Sequence, residues 1–164
     1  MGGLLDKHLT DKNAEKSGVW VRYTEEVNDD GTYPEFKIKR VTLDNVSYQS
    51  QVNKLSRRLN DLAKDPDAQS VDLEKVNRDL GVVFVDNILV DWRNVKHGAT
   101  VDENGELVRD IDGNVICEEL SYSKEQAKQM FSDSNFADVL AWLMKEASEM
   151  SNFLIANRNK DLNS

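Results

Sequence analysis

Residues 70–95 read SVDLEKVNRDLGVVFVDNILVDWRNV and hold the densest apolar run of the chain. Apolar side chains recur in this segment at spacings of three and four, which is the period of one buried helix face. Further apolar residues lie beside that stripe, so the segment is expected to be covered on more than one side. The pattern predicts a long central helix over about residues 70–96, on which the other elements pack. The stripe consists of Leu73, Val76, Leu80, Val83, Phe84, Ile88, Trp92 and Val95.

Three further helices are predicted around this central element, over about residues 44–64, 124–132 and 135–156. The first has a short heptad seam and ends before Pro66, because the residue before a proline is pushed out of the helical region. The second begins with a capping box at Ser123. The third has an apolar stripe of its own. The seam consists of Tyr48, Val52, Leu55, Leu59 and Leu62.

Residues 18–41 have the pattern of a β-hairpin. Val19, Val21 and Tyr23 alternate with other residues, and a second strand follows as FKIKRV. Asp30 and Gly31 suit a tight turn between the two strands. An isolated hairpin is marginal in water, so it must pack on the helices or gain a strand. The predicted fold class is therefore α+β, mostly α, with four main helices and an N-terminal β-hairpin.

One globular domain is predicted, over residues 18–156. Residues 1–17 are polar and are expected to form a flexible arm, or a short helix at LLDKHL that docks weakly, and residues 157–164 are expected to form a frayed tail. Residues 98–120 form a turn-rich insert that is either a small hairpin or a mobile loop. No internal repeat is evident.

The charge of the chain limits its partners. The net charge of −9 over 164 residues argues against nucleic-acid binding and against an anionic membrane surface. No apolar run approaches membrane-spanning length. Residues 36–64 differ, with seven basic and two acidic residues. They form either a solvated face near the acidic remainder of the domain or a docking face for an acidic partner, with Arg57 and Arg58 as candidate contacts.

No motif for catalysis or metal binding is found. The turn clusters DENGE and DIDGN invite a calcium interpretation, but an EF-hand loop requires glycine at position six, whereas Gly105 and Gly113 stand at position four. The single cysteine, Cys117, cannot form an internal disulfide. The two histidines lack metal-ligand spacing. We therefore expect no enzyme activity, no catalytic residues, no metal site and no cofactor.

Tryptophans are the other candidate partner contacts. Trp92 either plugs the core at the end of the central helix or anchors an interface, because tryptophan concentrates binding energy. Trp142 lies off the main stripe of the last helix and is a second candidate. Trp20 in the first strand is a third.

The order of these segments resembles that of the tail assembly chaperones of long-tailed phages. The resemblance extends over residues 18–155, and none of its strings is a catalytic signature. The strings are FKIKRV, YQSQVNKLSRRL, ILVDWRNV, YSKEQAKQMFSD and FADVLAWLMKEASEMSNFL.

The resemblance implies a non-enzymatic protein of the infected bacterial cytoplasm that is not secreted. Such chaperones bind the tape measure protein and help to recruit tail tube subunits. The contact would be the seam of the first predicted helix, or the surface around Trp92 and Trp142. Self-association through the seam stays open. The alternative is another small acidic phage interaction protein, either a minor virion component or an inhibitor of a host defence complex.

Overall fold

The computed structural model describes residues 3–155 and 157, and it has the predicted α+β class, mostly helical. Within these described residues, five strands form a three-stranded and a two-stranded sheet. Two 3₁₀ turns, Ser134–Phe136 and Met150–Phe153, flank the last helix. The elements are α1 (Leu4–His8), α2 (Lys12–Ser17), β1 (Val19–Arg22), β2 (Glu35–Ile38), α3 (Val46–Lys64), α4 (Ser70–Asn87), β3 (Leu89–Arg93), β4 (Lys96–Ala99), β5 (Cys117–Glu119), α5 (Lys124–Phe131) and α6 (Ala137–Ser148).

Helix α4 is the central element, but it ends earlier than the predicted helix over residues 70–96. It ends at Asn87, and the chain continues as strand β3. Val90 is β-branched and favours a strand, and β3 pairs antiparallel with β2 from Leu89 to Arg93, with a bulge between Lys37 and Ile38. This run is so rich in apolar residues that it fits both the spacing of a helix and the alternation of a strand. Pairing with β2 therefore decides which structure forms.

The predicted hairpin of residues 18–41 gains the third strand that its marginal stability requires. Strands β1 and β2 pair antiparallel, with Val19 opposite Ile38, and β3 follows on the far side of β2. The connection is longer than a tight hairpin. Gly31, with φ of 86°, closes a local turn inside residues 23–34 and does not join the strands directly. One face of the sheet, with Phe36 and Ile38, is buried.

The core lies between this sheet and the helices that pack on α4. Helix α4 contacts α3, α5 and α6, and its residues Val76, Phe84 and Val85 are fully buried. The approach of α5 is very close at Gly81, where a β-carbon would lie 1.9 Å from the carbonyl oxygen of Phe131. A glycine in the middle of a helix is unfavourable by itself, so here it is explained by packing.

The last predicted helix, over residues 135–156, is shorter in the structure. Helix α6 ends at Ser148, and Glu149 is extended. The side-chain amide of Asn152 donates to the carbonyl of Glu146 at 2.9 Å, which satisfies one of the free carbonyls at the helix end. The following 3₁₀ turn inserts Phe153 into the core. Beyond it, the predicted tail of residues 157–164 lies outside the described residues except for Asn157.

The predicted flexible arm of residues 1–17 is docked over its second half. Glu15 is buried, and its carboxylate lies 2.6 Å from the Arg40 guanidinium. Burial alone would raise the pKa of Glu15, but hydrogen bonds from Thr10 and Arg40 and the nearby positive charges lower it overall. Asp11 caps α2, and apolar patterning does not predict such a cap. Polar contacts and the buried Ala14 therefore hold this segment together.

Candidate functional site

Trp92, the first candidate partner contact, lies in the core. It is 4% exposed, and its indole N–H donates to the carbonyl of Leu120 at 2.7 Å. Its ring packs edge-on against Tyr122 and Phe36. The indole thus ties β3 to the segment that leads into α5, in agreement with the core interpretation of this residue.

The other two tryptophans are only half-buried. Trp142 on α6 packs edge-on against Tyr23, with ring centroids 5.0 Å apart. Trp20 lies on the outer face of the three-stranded sheet, where the Arg93 guanidinium lies 4.1 Å from its ring centroid. Both rings already have partners within the chain, and the structure does not bring Trp92 and Trp142 into ring contact with each other.

Arg57 and Arg58 lie on the outer side of α3. Both are exposed, and Arg58 pairs with Asp79 of α4 at 3.2 Å. Arg57 donates to the carbonyl of Asn53, one turn earlier on its own helix, at 3.4 Å. Lys54 and Lys64 are also exposed on α3, and Arg58 lies at the edge of this surface towards α4. We call the side formed by Lys54, Arg57, Arg58 and Lys64 the basic face.

The predicted seam of α3 is closed at one end and open at the other. At the inner end, Tyr48 and Leu55 are buried, and the rings of Tyr48 and Phe84 lie 6.4 Å apart. At the outer end, Leu59 is 40% exposed, and Leu73 of α4 is 45% exposed. A hollow of about 290 Å³ adjoins this end. It is lined by Arg58, Asp61, Leu62, Asp65, Asp72 and Lys75. We call this region the open seam.

The predicted insert of residues 98–120 is an ordered β structure that begins two residues earlier, with β4. Strands β4 and β5 pair antiparallel, and the segment between them pairs with itself through bridges between Val101 and Leu107 and between Arg109 and Val115. The hairpin interpretation is therefore nearer to the structure than the mobile loop. We call residues 96–119 the β module.

The β module contains an eight-residue repeat that sequence inspection did not detect. The amides of Thr100, Val108 and Ile116 form a closed ring of hydrogen bonds, because each donates to the carbonyl of another member at 2.9–3.2 Å. The turns that follow Thr100 and Val108 are built alike, around Gly105 with φ of 77° and Gly113 with φ of 84°. The eight-residue spacing of Asp102 to Asp110 and of Gly105 to Gly113 is the signal that could have revealed the repeat.

The aspartate that opens each turn caps the turn itself. Oδ1 of Asp102 accepts from the amides of Asn104 and Glu106, and Oδ1 of Asp110 accepts from those of Asp112 and Asn114. These contacts are Asx-turn chemistry, which explains the residues without a metal ion. Within residues 3–155 and 157, no group of three or more histidine, cysteine or acidic side chains could hold a metal.

The loop between β1 and β2 clamps the base of the β module. The Asn28 amide donates to the carbonyl of Asn94 at 2.8 Å, and Asp29 accepts from the amide of Ala99 at 2.7 Å. The Lys96 ammonium lies 2.5 Å from Asp30, and its hydrogen bond, with another from Thr32, lowers the pKa of Asp30 to about 2. Asp29 and Asp30 therefore bond to the module itself, and Asn28 holds the residue Asn94 just before it.

These observations define the class of protein as a small α+β domain with an open helical seam and a clamped β module. The family model described as YdaY prophage protein matches residues 43–163. The match includes α3, the β module and α6, and it covers well over half of the chain. The chain therefore belongs to the YdaY prophage protein family and is a phage-related protein.

No curated protein and no solved structure matches the chain. None of the helices in the described part of the chain is both long and apolar enough to cross a membrane.

Proposed function

We propose that the protein is a non-enzymatic tail assembly chaperone that binds helical segments of the tape measure protein in the host cytoplasm. The observation that carries the proposal is the open seam, where Leu59 and Leu73 remain 40% and 45% exposed between two packed helices. Membership of a prophage family supports a phage role. The resemblance of the chain to tail assembly chaperones supplies the partner.

The open seam suits an amphipathic helix. A third helix laid along α3 and α4 would bury Leu59 and Leu73 as the inner end of the seam buries Tyr48 and Phe84. Both signs of charge line the adjoining hollow, including Arg58 and Asp72. Such a rim pairs with the mixed polar face of a helix and does not select one sign of charge.

A tape measure protein supplies helices of this kind. Before the tail assembles, its apolar stripes have no cover, and exposed apolar stripes aggregate. A chaperone that covers one stripe at a time keeps the long chain soluble, while its own net charge of −9 opposes aggregation of the complex. Recruitment of tail tube subunits belongs to the same proposal as a later step.

The test is co-expression with the tape measure protein encoded nearest to this gene. We expect the tape measure protein to become soluble and to co-purify with the wild-type chain. Leu59→Glu combined with Leu73→Glu should abolish both effects, because two carboxylates would be placed in the apolar contact. Leu4→Glu combined with Leu5→Glu is the matched control, since these leucines are also exposed but lie on α1.

Each outcome has a defined meaning once circular dichroism shows that the variants are folded. A tape measure protein that stays insoluble beside the folded wild-type chain contradicts the chaperone function. A tape measure protein that stays soluble with the seam variant contradicts the contact surface only.

A further inference from the structure

We propose that the protein also self-associates head to tail, with the β module of one copy docked on the basic face of the next. This inference does not depend on the tape measure protein, because it concerns the chain alone. It rests on two surfaces of opposite charge that are both present on the described chain and do not pair with each other within one molecule.

The β module offers both apolar and acidic side chains to solvent. Val101 and Leu107 lie opposite each other across a bridge, so they share one side, and both are exposed. Ile111, which lies in the second turn just after Asp110, is 100% exposed. Residues 100–119 contain seven acidic residues and one basic residue, so this segment has a net charge of −6.

The basic face offers the complementary charge. Helix α3 has four basic residues and one acidic residue, a net charge of +3, on a side that the core leaves free. Lys54, Arg57 and Lys64 are exposed, and no ion pair among the described residues involves them. Arg58 keeps its bond to Asp79, so the other three cations are the ones available to a partner.

The two surfaces cannot neutralise each other within one copy as the chain is folded. None of the ion pairs found in residues 3–155 and 157 joins α3 to residues 100–119. Between two copies, the β module of one can meet the basic face of the other. How often they meet depends on the protein concentration. The clamp from Asn28, Asp29 and Asp30 holds the module in place beforehand, which lowers the entropy cost of docking.

The contact is heterologous, because two different surfaces of the chain meet. Each pair of copies leaves one β module and one basic face unoccupied, so association continues into open chains or closes into a ring. This arrangement differs from a symmetric pairing of helix seams, in which one dimer uses up the whole surface.

The experiment is sedimentation velocity of the purified full chain at several protein concentrations. Wild type is expected to form oligomers at about 50 mM salt and to weaken about tenfold or more in affinity at about 500 mM, because exposed ion pairs are screened. The face variant Lys54→Glu with Arg57→Glu should stay monomeric. So should the module variant, which leaves the turn-capping Asp102 and Asp110 intact and carries Glu103→Lys, Glu106→Lys, Asp112→Lys and Glu118→Lys. These four changes reverse the net charge of residues 100–119 from −6 to +2.

An equimolar mixture of the two variants provides the sharpest result. Their reversed surfaces repel wild-type partners but complement each other, and their intact surfaces do so as well, so the mixture should regain association. A chain that carries both sets of substitutions should self-associate again, because its α3 and its β module then have reversed and still opposite net charges. Wild type that is monomeric at about 50 mM salt overturns the proposal. Variants that are folded by circular dichroism but associate like wild type overturn it equally.

Discussion

The α3–α4 pair and the β module both present apolar side chains to solvent, but different forces hold them together. The helix pair is held by buried apolar contacts at its inner end, such as Tyr48 against Phe84. None of residues 100–119 is buried, and the module is held by backbone hydrogen bonds, capped turns and its clamp. Stability in the first region should therefore depend on side-chain volume, and in the second on polar atoms.

The largest effect is expected from Phe84→Ala in the helical core. Phe84 is fully buried, so its removal leaves a cavity and should lower the free energy of unfolding by about 4 kcal/mol. Chemical denaturation followed by circular dichroism measures the change. Leu43→Ala is the control, because Leu43 is exposed and its loss should change stability by less than about 0.5 kcal/mol. Equal effects at the two positions would refute the volume dependence.

Gly81→Ala should have the next largest effect. The added methyl group would meet the carbonyl oxygen of Phe131 at 1.9 Å, so α4 and α5 must move apart, at a cost of about 3 kcal/mol. Gly98→Ala in β4 is the control, since its β-carbon would meet only Asp29 at an ordinary 3.5 Å. Thermal unfolding compares the two variants. A stable Gly81→Ala protein would mean that the helices are not packed this closely.

The clamp of the β module should make stability depend on acidity. The pKa of Asp30 in the folded protein is about 2, below its ordinary value of 3.8, so its contribution is complete above about pH 4 and is lost as the pH falls through 2. That contribution is about 2 kcal/mol. Unfolding of wild type and Asp30→Asn between about pH 2 and pH 6 should therefore converge at the acidic end. Parallel curves would exclude this ion pair as a source of stability.

The smallest effect is expected at the end of the β module. Ile111 is 100% exposed, so Ile111→Ser should change the free energy of unfolding by less than about 0.5 kcal/mol. Differential scanning calorimetry would test this expectation beside Phe84→Ala. A clear loss of stability would show that the module has an apolar core after all.

Sequence patterning predicted the elements whose contacts are local or periodic. The seam of α3 was identified from its spacing, and Tyr48 and Leu55 are indeed buried. Half of the capping box predicted at Ser123 is present, because the Ser123 hydroxyl accepts a hydrogen bond from the amide of Gln126. These features depend on residues three or four positions apart, so they can be recognised without knowledge of the fold.

The candidate contacts were chosen by residue type, which does not report burial. Trp92 was proposed as an interface anchor or a core plug, and only the packing of Tyr122 and the carbonyl of Leu120 makes it a core residue. The partner roles of Trp142, Arg57 and Arg58 stay predictions. The open seam could not be predicted from the sequence. Leu59 and Leu73 belong to different helices, and only the tertiary structure shows how those helices pack.

The sequence by itself determined the α+β class, the helical seam and the turn chemistry of the β module, because short-range patterns specify these features. Only the tertiary structure decided that residues 89–93 form a strand, that Glu15 docks against Arg40, and that the seam closes at one end alone. Each of those outcomes depends on a partner distant in sequence. The free energy of a distant contact cannot be read from the segment that makes it.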